Sequence, residues 1–306
     1  MESVDVLSYL KTTVILCTRN RARDIVICLH SLSEQTEHPA EIIVVDSSDQ
    51  PLEKDERFQK LFSKTYFSKT TLLYLHTKPG LTYQRNVGIA HASGEVIYFF
   101  DDDVILDCDY LREMNVIFQQ HPEYAGGMGS ISNLKRGSFR YQLFRKIFLL
   151  PRERASGKFT WSGMPTHPYG GDRFKQVEVL GGCCMAFRKE VLQKHRFDER
   201  FHGYAYMEDG DIARRISYER PLFFNPKAQL QHLESPAARD RIVDNSAMFV
   251  YNYRYLFFKN FYKKNRLKII AHWWSLFGLF LEGTLRKDWQ RVRGYGKGLR
   301  KSFVQK

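Results

Sequence analysis

The first hundred residues alternate short apolar runs with stretches of helical periodicity, and that alternation leaves few folds open. Thr13-Val14-Ile15-Leu16 reads as a buried strand, and a helix follows through roughly Ala22–Gln35 with Ile25, Leu29 and Leu32 as its inner face. Glu41-Ile42-Ile43-Val44-Val45-Asp46 is a second strand that ends in an acid. A third falls at Leu72–Leu75, a helix at about Thr82–Ala92, and a fourth strand at Val96–Phe100. Strands joined by helices in this way build βαβ units around a parallel sheet. Ligands of such sheets sit beyond the carboxyl ends of the strands, which is where Thr18, Asp46 and Asp101–Asp103 fall.

The fourth strand runs directly into three acids, Asp101-Asp102-Asp103. An ionised carboxylate is costly to bury unless it is paired, so the triplet either shares a cation or lies at a solvated strand mouth. In extended backbone, alternate side chains face the same way, which puts Asp101 and Asp103 together and turns Asp102 aside. Two carboxylates so placed suit Mg²⁺ or Mn²⁺ beside a diphosphate. An acidic turn after a strand is the plain alternative.

Beyond this point the pattern changes. A helix is expected near Tyr110–Gln120, followed by the glycine-rich Gly126-Gly127-Met128-Gly129 and by Phe139–Leu150, where Phe, Leu and Ile alternate with Arg140, Arg145 and Lys146. One strand is expected over Val177–Phe187 through Gly181-Gly182. A helix opens at Met207-Glu208-Asp209-Gly210-Asp211, and two short strands follow at Pro221–Asn225 and Ala228–His232. At 306 residues, 43% of them hydrophobic, the chain holds one large α/β domain plus an appendage, or two ordinary domains. The five cysteines, Cys17, Cys28, Cys108, Cys183 and Cys184, form no CxxC unit and no zinc spacing, which fits reduced thiols in the cytoplasm. Glu2 and Asp5 replace the basic start of a secretory leader, so none is expected.

Charge is concentrated at the other end. From Arg254 onward fourteen Lys/Arg face Glu282 and Asp288, so the last sixth of the chain holds +12 of the net +13. Such a tail implies an anionic partner: nucleic acid, lipid headgroups or a phosphorylated substrate. Within it, Ile269–Leu281 is an apolar run containing Trp273 and Trp274. It is too short to cross a bilayer, which takes about 20 residues. It reads as a helix lying in a membrane surface, with a packed core helix as the alternative. The expected division is a catalytic domain over 1–235 and a basic helical region over 236–306.

Taken together, the motifs resemble those of the family 2 glycosyltransferases with the A-type, nucleotide-diphospho-sugar-binding fold, over about residues 12 to 235. They occur in the family's order: Thr18-Arg19-Asn20-Arg21, Val45-Asp46-Ser47-Ser48, Gly80-Leu81-Thr82-Tyr83-Gln84-Arg85-Asn86-Val87-Gly88, Phe100-Asp101-Asp102-Asp103, Gly181-Gly182-Cys183-Cys184 and Glu208-Asp209-Gly210-Asp211. The resemblance implies an α/β, Rossmann-like fold with a mostly parallel sheet, a nucleotide-diphospho-sugar donor, and Mn²⁺ or Mg²⁺. It implies that Thr18 with Arg19, Asn20 and Arg21 contacts the nucleotide, that Asp46 and Ser47 meet the base, and that Arg85 with Asn86 serves the diphosphate or the carboxylates. Asp101 would reach ribose or metal, Asp102 would belong with the nucleotide-binding residues, Asp103 would bind the ion, and His232 would sit where members place a further ligand. Asp209, beside Glu208, matches the base of a single inverting displacement; at a helix N-terminus its pKa would be depressed. Gly181, Gly182 and Cys183 would lie on the acceptor side.

The processive-synthase signature Gln-x-x-Arg-Trp is absent, so a single-addition transferase is expected. Phe139–Pro165 looks like the corresponding segment of bacterial members acting on lipid-linked glycans. The expected acceptor is therefore a lipid-linked or surface-polysaccharide precursor, met at the cytoplasmic face of an anionic membrane. A sugar-phosphate nucleotidyltransferase would need a glycine-rich loop after the first strand, and Cys17–Arg21 has no glycine. A non-enzymatic, membrane-binding protein with an inactive core is the third reading. No element supports nucleic-acid binding.

Overall fold

The computed structural model describes residues 10–134, 137–152, 156–235 and 241–304; Glu2, Asp5 and Pro236 lie outside the described residues. The first half alternates as its pattern requires: β1 (Thr12–Thr18), α1 (Ala22–Ser33), β2 (Glu41–Asp46), α2 (Glu56–Leu61), β3 (Thr71–His76), α3 (Leu81–His91) and β4 (Val96–Asp101). These four strands are parallel in the order β3-β2-β1-β4, with Thr18 paired to Asp46 and Cys17 to Asp101, so their carboxyl ends open on one edge. β2 is buried along its whole length, and β1 and β4 are buried at all but one position each. Unbroken apolar runs of this kind mark strands covered on both faces.

The sheet then continues through β5 (Val104–Leu106), α4 (Tyr110–Gln120), β6 (Gly126–Ile131), α5 (Phe139–Ile147), β7 (Lys175–Val177), β8 (Cys184–Arg188), α6 (Lys189–Lys194), α7 (Glu208–Ser217) and β9 (Leu222–His232). β8 runs antiparallel between β4 and β6. β9 is parallel to β6 and carries β5 and β7 antiparallel at its sides. The sheet is thus mostly parallel.

Two sequence expectations change here, and the glycine-rich run, which the sequence left unassigned, takes a state. The glycine-rich run is strand β6, because a Cβ at Gly127 would enter the Phe223 ring and one at Gly129 would meet the Ala228 carbonyl. The single strand expected over Val177–Phe187 is two, β7 and β8. The chain turns at Gly181-Gly182, where the Cys184 N–H donates to the Gly181 carbonyl at 3.1 Å, and the halves pair with different neighbours. The two strands expected around Pro226 are one, β9, whose register slips between the pairs Met128–Phe224 and Ser130–Gln229. Pro226 cannot donate to the ladder. Asn225 holds the slip, accepting from the Lys227 N–H at 3.1 Å and donating to the Glu113 carbonyl at 3.0 Å.

Three helices finish the chain: α8 (Ile242–Phe257), α9 (Lys268–Leu285) and α10 (Trp289–Val304). Gly294 and Gly298, one turn apart, let α10 lie against the α8 backbone at Val243 and Ala247. These helices do not form a separate layer. Val250, Tyr253, Leu256, Phe257, Leu276 and Leu279 share one core with Phe148, Leu150, Met164, Phe201 and Met207 from before residue 235. In that core His272 lies stacked on Phe257, ring centroids 4.0 Å apart, and burial pushes its imidazole down to about 3.

A π-helical turn, Phe258–Tyr262, closes α8. It aims Lys259 and Asn260 at the fully buried Asp211 of α7, at 2.9 and 2.8 Å, and Lys259 also reaches Asp198 at 2.6 Å. Among the described residues no helix is long and apolar enough to cross a membrane.

Candidate functional site

The aligned ends of β1 and β4 form the floor of a cleft of about 1220 Å³, walled by the loop before α7, by the Gly182 turn, by His232 and by the start of α8. Three ligand-type groups meet at its edge: Asp101 and His232 line it, and Asp103 is buried beside them. Asp101 ends β4, Asp103 stands two residues on, and the β5–β9 register, Val104 opposite His232, brings the imidazole to them. Their ligand atoms lie within 4.8 Å of one another. His232 Nε2 is 3.1 Å from Asp103 Oδ1, and the Ser235 N–H donates to Asp103 Oδ2 at 2.9 Å.

Burial works against the Asp103 charge, but the His232 bond, the Ser235 N–H and Arg21 outweigh it and hold the carboxyl below its ordinary range. His232 moves the opposite way. Burial would lower it, and Asp103 with Asp101 and Cys183 raises it to about 9. Asp102 faces away from the trio, accepting from Thr18 Oγ1 at 2.6 Å and Arg21 Nη1 at 2.8 Å, and burial still pushes it to about 7. Two carboxylate oxygens and one imidazole nitrogen form a donor set that fits Mn²⁺. The carboxylates that favour a proton on His232 would equally favour a cation, for which the imidazole must first give up that proton.

Arg85, on the buried face of α3, connects this group to the far wall. Its guanidinium reaches Glu208 Oε1 at 2.5 Å, the Gly182 carbonyl at 3.0 Å and Asp101 Oδ1 at 3.5 Å. Burial opposes its charge, while Glu208 and Asp101 hold it. Glu208 is pushed up to about 8 by burial and by the Asp209 charge, more than Arg85 offsets.

Asp209 sits in the first turn of α7, entered through a backbone that is left-handed at Ala205 (φ 56°) and Met207 (φ 78°). Non-glycine residues held there store strain of about 1–3 kcal/mol each, a feature that clusters at functional sites. Burial raises Asp209, but the hydrogen bond and charge of His167 at 3.2 Å, with the N–H groups of Gly210 at 2.7 Å and Gly182 at 3.0 Å, bring it below the usual range. The depression expected from the helix terminus is present, with these local donors as its cause.

Other expected site residues divide. Thr18, Arg19, Asn20 and Arg21 line the cleft. Asn20 (φ 56°) donates from its backbone to Ser48 Oγ at 2.7 Å and through its side chain to Asp49 at 2.9 Å. Gly182 and Cys183 line it too, while Gly181 lies beneath Tyr169, whose hydroxyl occupies the space of a Cβ.

Asp46, Ser47 and Asn86 stand outside the cleft lining. Asp46 is fully buried, accepting from the N–H groups of Ser48 at 2.8 Å and Leu52 at 2.9 Å and from the Tyr74 hydroxyl at 2.7 Å. Ser47 donates its N–H to the Thr18 carbonyl at 3.0 Å. Asn86 is tied to Phe197, donating to its carbonyl at 2.9 Å and accepting from its N–H at 3.0 Å. Sequence reasoning missed His167 and Tyr169, stacked 5.1 Å apart on the Asp209 wall, and the part that α8 plays through Met248 and Phe249.

Residues 13–196 match the model of the family described as Glycosyl transferase family 2. An uncharacterized glycosyltransferase of Bacillus subtilis (strain 168), YwdF, is 25% identical over 140 residues, covering 45% of this chain and 50% of the relative. The chain therefore spans about half the length of that curated relative. Among solved structures, the mannosyltransferase PcManGT from Pyrobaculum calidifontis, in complex with GDP-Man and Mn²⁺, is similar with TM-score 0.59 and 16% identity over 98% of this chain and 89% of that one. GalNAc-T7, with UDP, GalNAc and Mn²⁺, is similar with TM-score 0.59 and 15% identity over 82% of this chain and 48% of that one. At such identities these likenesses show the fold alone.

Proposed function

Because the chain belongs to glycosyl transferase family 2, we propose that it moves one sugar from a nucleotide-diphospho-sugar to a hydroxyl of a glycan acceptor, inverting the anomeric centre. The acceptor in this reading is a lipid-linked or surface-polysaccharide precursor, reached at an anionic membrane surface on the cytoplasmic side. Relatives of known structure were solved with GDP-Man or UDP and Mn²⁺, which supports the donor class.

One observation carries the reading. A single buried guanidinium, Arg85, touches both Asp101 of the ligand trio and Glu208 beside Asp209, so a leaving-group side and a base side face one cleft. Asp209 is kept ionised by its donors and can take the proton of the acceptor hydroxyl. The freed oxygen then attacks the sugar carbon, whose bond to the diphosphate oxygen breaks on the opposite face and leaves its electrons there. Arg85 supplies fixed positive charge near that oxygen, and the loop Thr18–Arg21 positions the nucleotide. A divalent cation held by Asp101, Asp103 and His232 would neutralise charge on the departing diphosphate.

The test is donor turnover by purified protein in the presence of Mn²⁺ or Mg²⁺, compared with turnover after chelation. Asp103→Ala and Asp209→Asn are each expected to lose about 10²–10⁴-fold. Undiminished turnover in both variants, or in chelator, overturns the assignment.

A further inference from the structure

α5 and α9 lie side by side and expose the wrong residues for water. On α9 the side facing the protein is Ala271, Ser275, Leu276 and Leu279, yet Ile270 (66% exposed), Trp273, Trp274 and Phe277 (53%) face outward one helical turn apart. On α5, Phe139 (81% exposed), Leu143 and Ile147 (53%) form an i, i+4, i+8 stripe. The two helices are joined through the side of α5 opposite its stripe, which leaves both stripes facing away from the protein. Trp274 Nε1 donates to the Ile147 carbonyl at 2.9 Å, Phe148 stacks on Trp274 with centroids 4.8 Å apart, Arg145 pairs with Glu282 at 3.0 Å, and Arg286 covers the Tyr141 ring at 4.5 Å.

We infer that this two-helix face lies flat in the surface of an anionic phospholipid bilayer. The charge around it selects that occupant. Arg145 of α5 and Glu282 of α9 neutralise each other, which leaves Arg140 and Lys146 on α5 and no unpaired acid on either helix. Trp and Phe at the level of the headgroups, with cations beside them, are the composition of an interfacial helix. A second copy of the chain would set like-charged rims against each other.

The chain passes from α5 through the core at Phe148 and Leu150 and reaches the cleft four residues past the stripe. Pro151, just past α5, is one of the residues lining it. A lipid-linked acceptor would therefore enter from the bilayer side, a consequence that rests on the transferase reading above. The docking itself does not.

Flotation of the full chain with vesicles tests it. Binding is expected with phosphatidylglycerol/phosphatidylcholine vesicles, weakening steeply with salt, and not with phosphatidylcholine alone. The triple variant Phe139→Ser/Leu143→Ser/Ile147→Ser is expected to bind about tenfold or more weakly, with donor turnover in solution unchanged. Because these positions are exposed, a matching melting temperature verifies folding. Absence of binding by the parent chain, equal binding by the variant, or a dimer that the variant abolishes each overturns the inference. Vesicle binding without donor turnover would preserve the docking and sink the transferase reading instead.

Discussion

Asp46 shows how a residue can match a motif and still serve the scaffold. Its oxygens take three donors in a site closed to solvent, so it fixes the turn after β2. Asp46→Ala is expected to cost about 2–4 kcal/mol by leaving those donors unmet, seen as a lower midpoint in urea denaturation. His167 is the reverse case, a residue with no motif that touches the proposed base. Its contact with Asp209 spans 42 residues, and no periodicity or spacing can encode such a pairing.

Removing His167 takes away a donor that lowers Asp209. His167→Ala is therefore expected to move the acid limb of the kcat profile to higher pH and to cut kcat about tenfold with donor KM little changed. His167→Gln, which keeps an N–H, should recover part of the loss. An unmoved acid limb in the alanine variant would refute this role. By contrast, the expected pairing of Asp101 with Asp103 is present, but a turn at Asp102-Asp103 between β4 and β5 makes it, not the two-residue period of a strand.

Among the elements, the parallel half of the sheet was legible because each of its strands is a continuous apolar run with a helix between. The second half was less so, since β6 is glycine-rich, β7 is three residues long and β9 is irregular at Pro226. Their strand state comes from neighbours rather than from propensity.

α9 packs one side into the second core, as the core-helix reading requires, and leaves the other exposed. Its His272 has a testable pH signature. The folded imidazole titrates near 3 and an unfolded one near 6.5, so between those values the unfolded state binds more protons. Stability is complete above about pH 6.5 and is lost as pH falls toward 3, by up to about 1.4 kcal/mol per pH unit. His272→Phe is expected to flatten that part of a pH series of denaturation curves. The π-helical turn gives a second test. Lys259→Met should destabilise the protein by about 2 kcal/mol, read by thermal melting, because one ammonium shared by Asp198 and Asp211 is lost while Asp211 keeps Arg215 at 3.0 Å.

At the scale of the whole molecule, composition marks the last seventy residues as different in kind but not as structurally dependent on the rest. The shared core says otherwise, because Phe148, Leu150, Met164, Phe201 and Met207 would be uncovered without α8–α10. A chain ending at residue 235 is expected to lose its cooperative melt and to bind a dye for exposed apolar surface. A sharp transition at the parent temperature would count against a shared core.

The slipped register in β9 sets a limit on how this chain can vary. Because strand side chains alternate, deleting one residue between Phe224 and Gln229 would carry Leu230, Gln231 and His232 to the opposite side of the sheet, and the imidazole would leave Asp103. This short irregularity acts as a spacer of fixed length, and a change of one residue there should separate His232 from Asp103 and also turn the buried Leu230 out of the core.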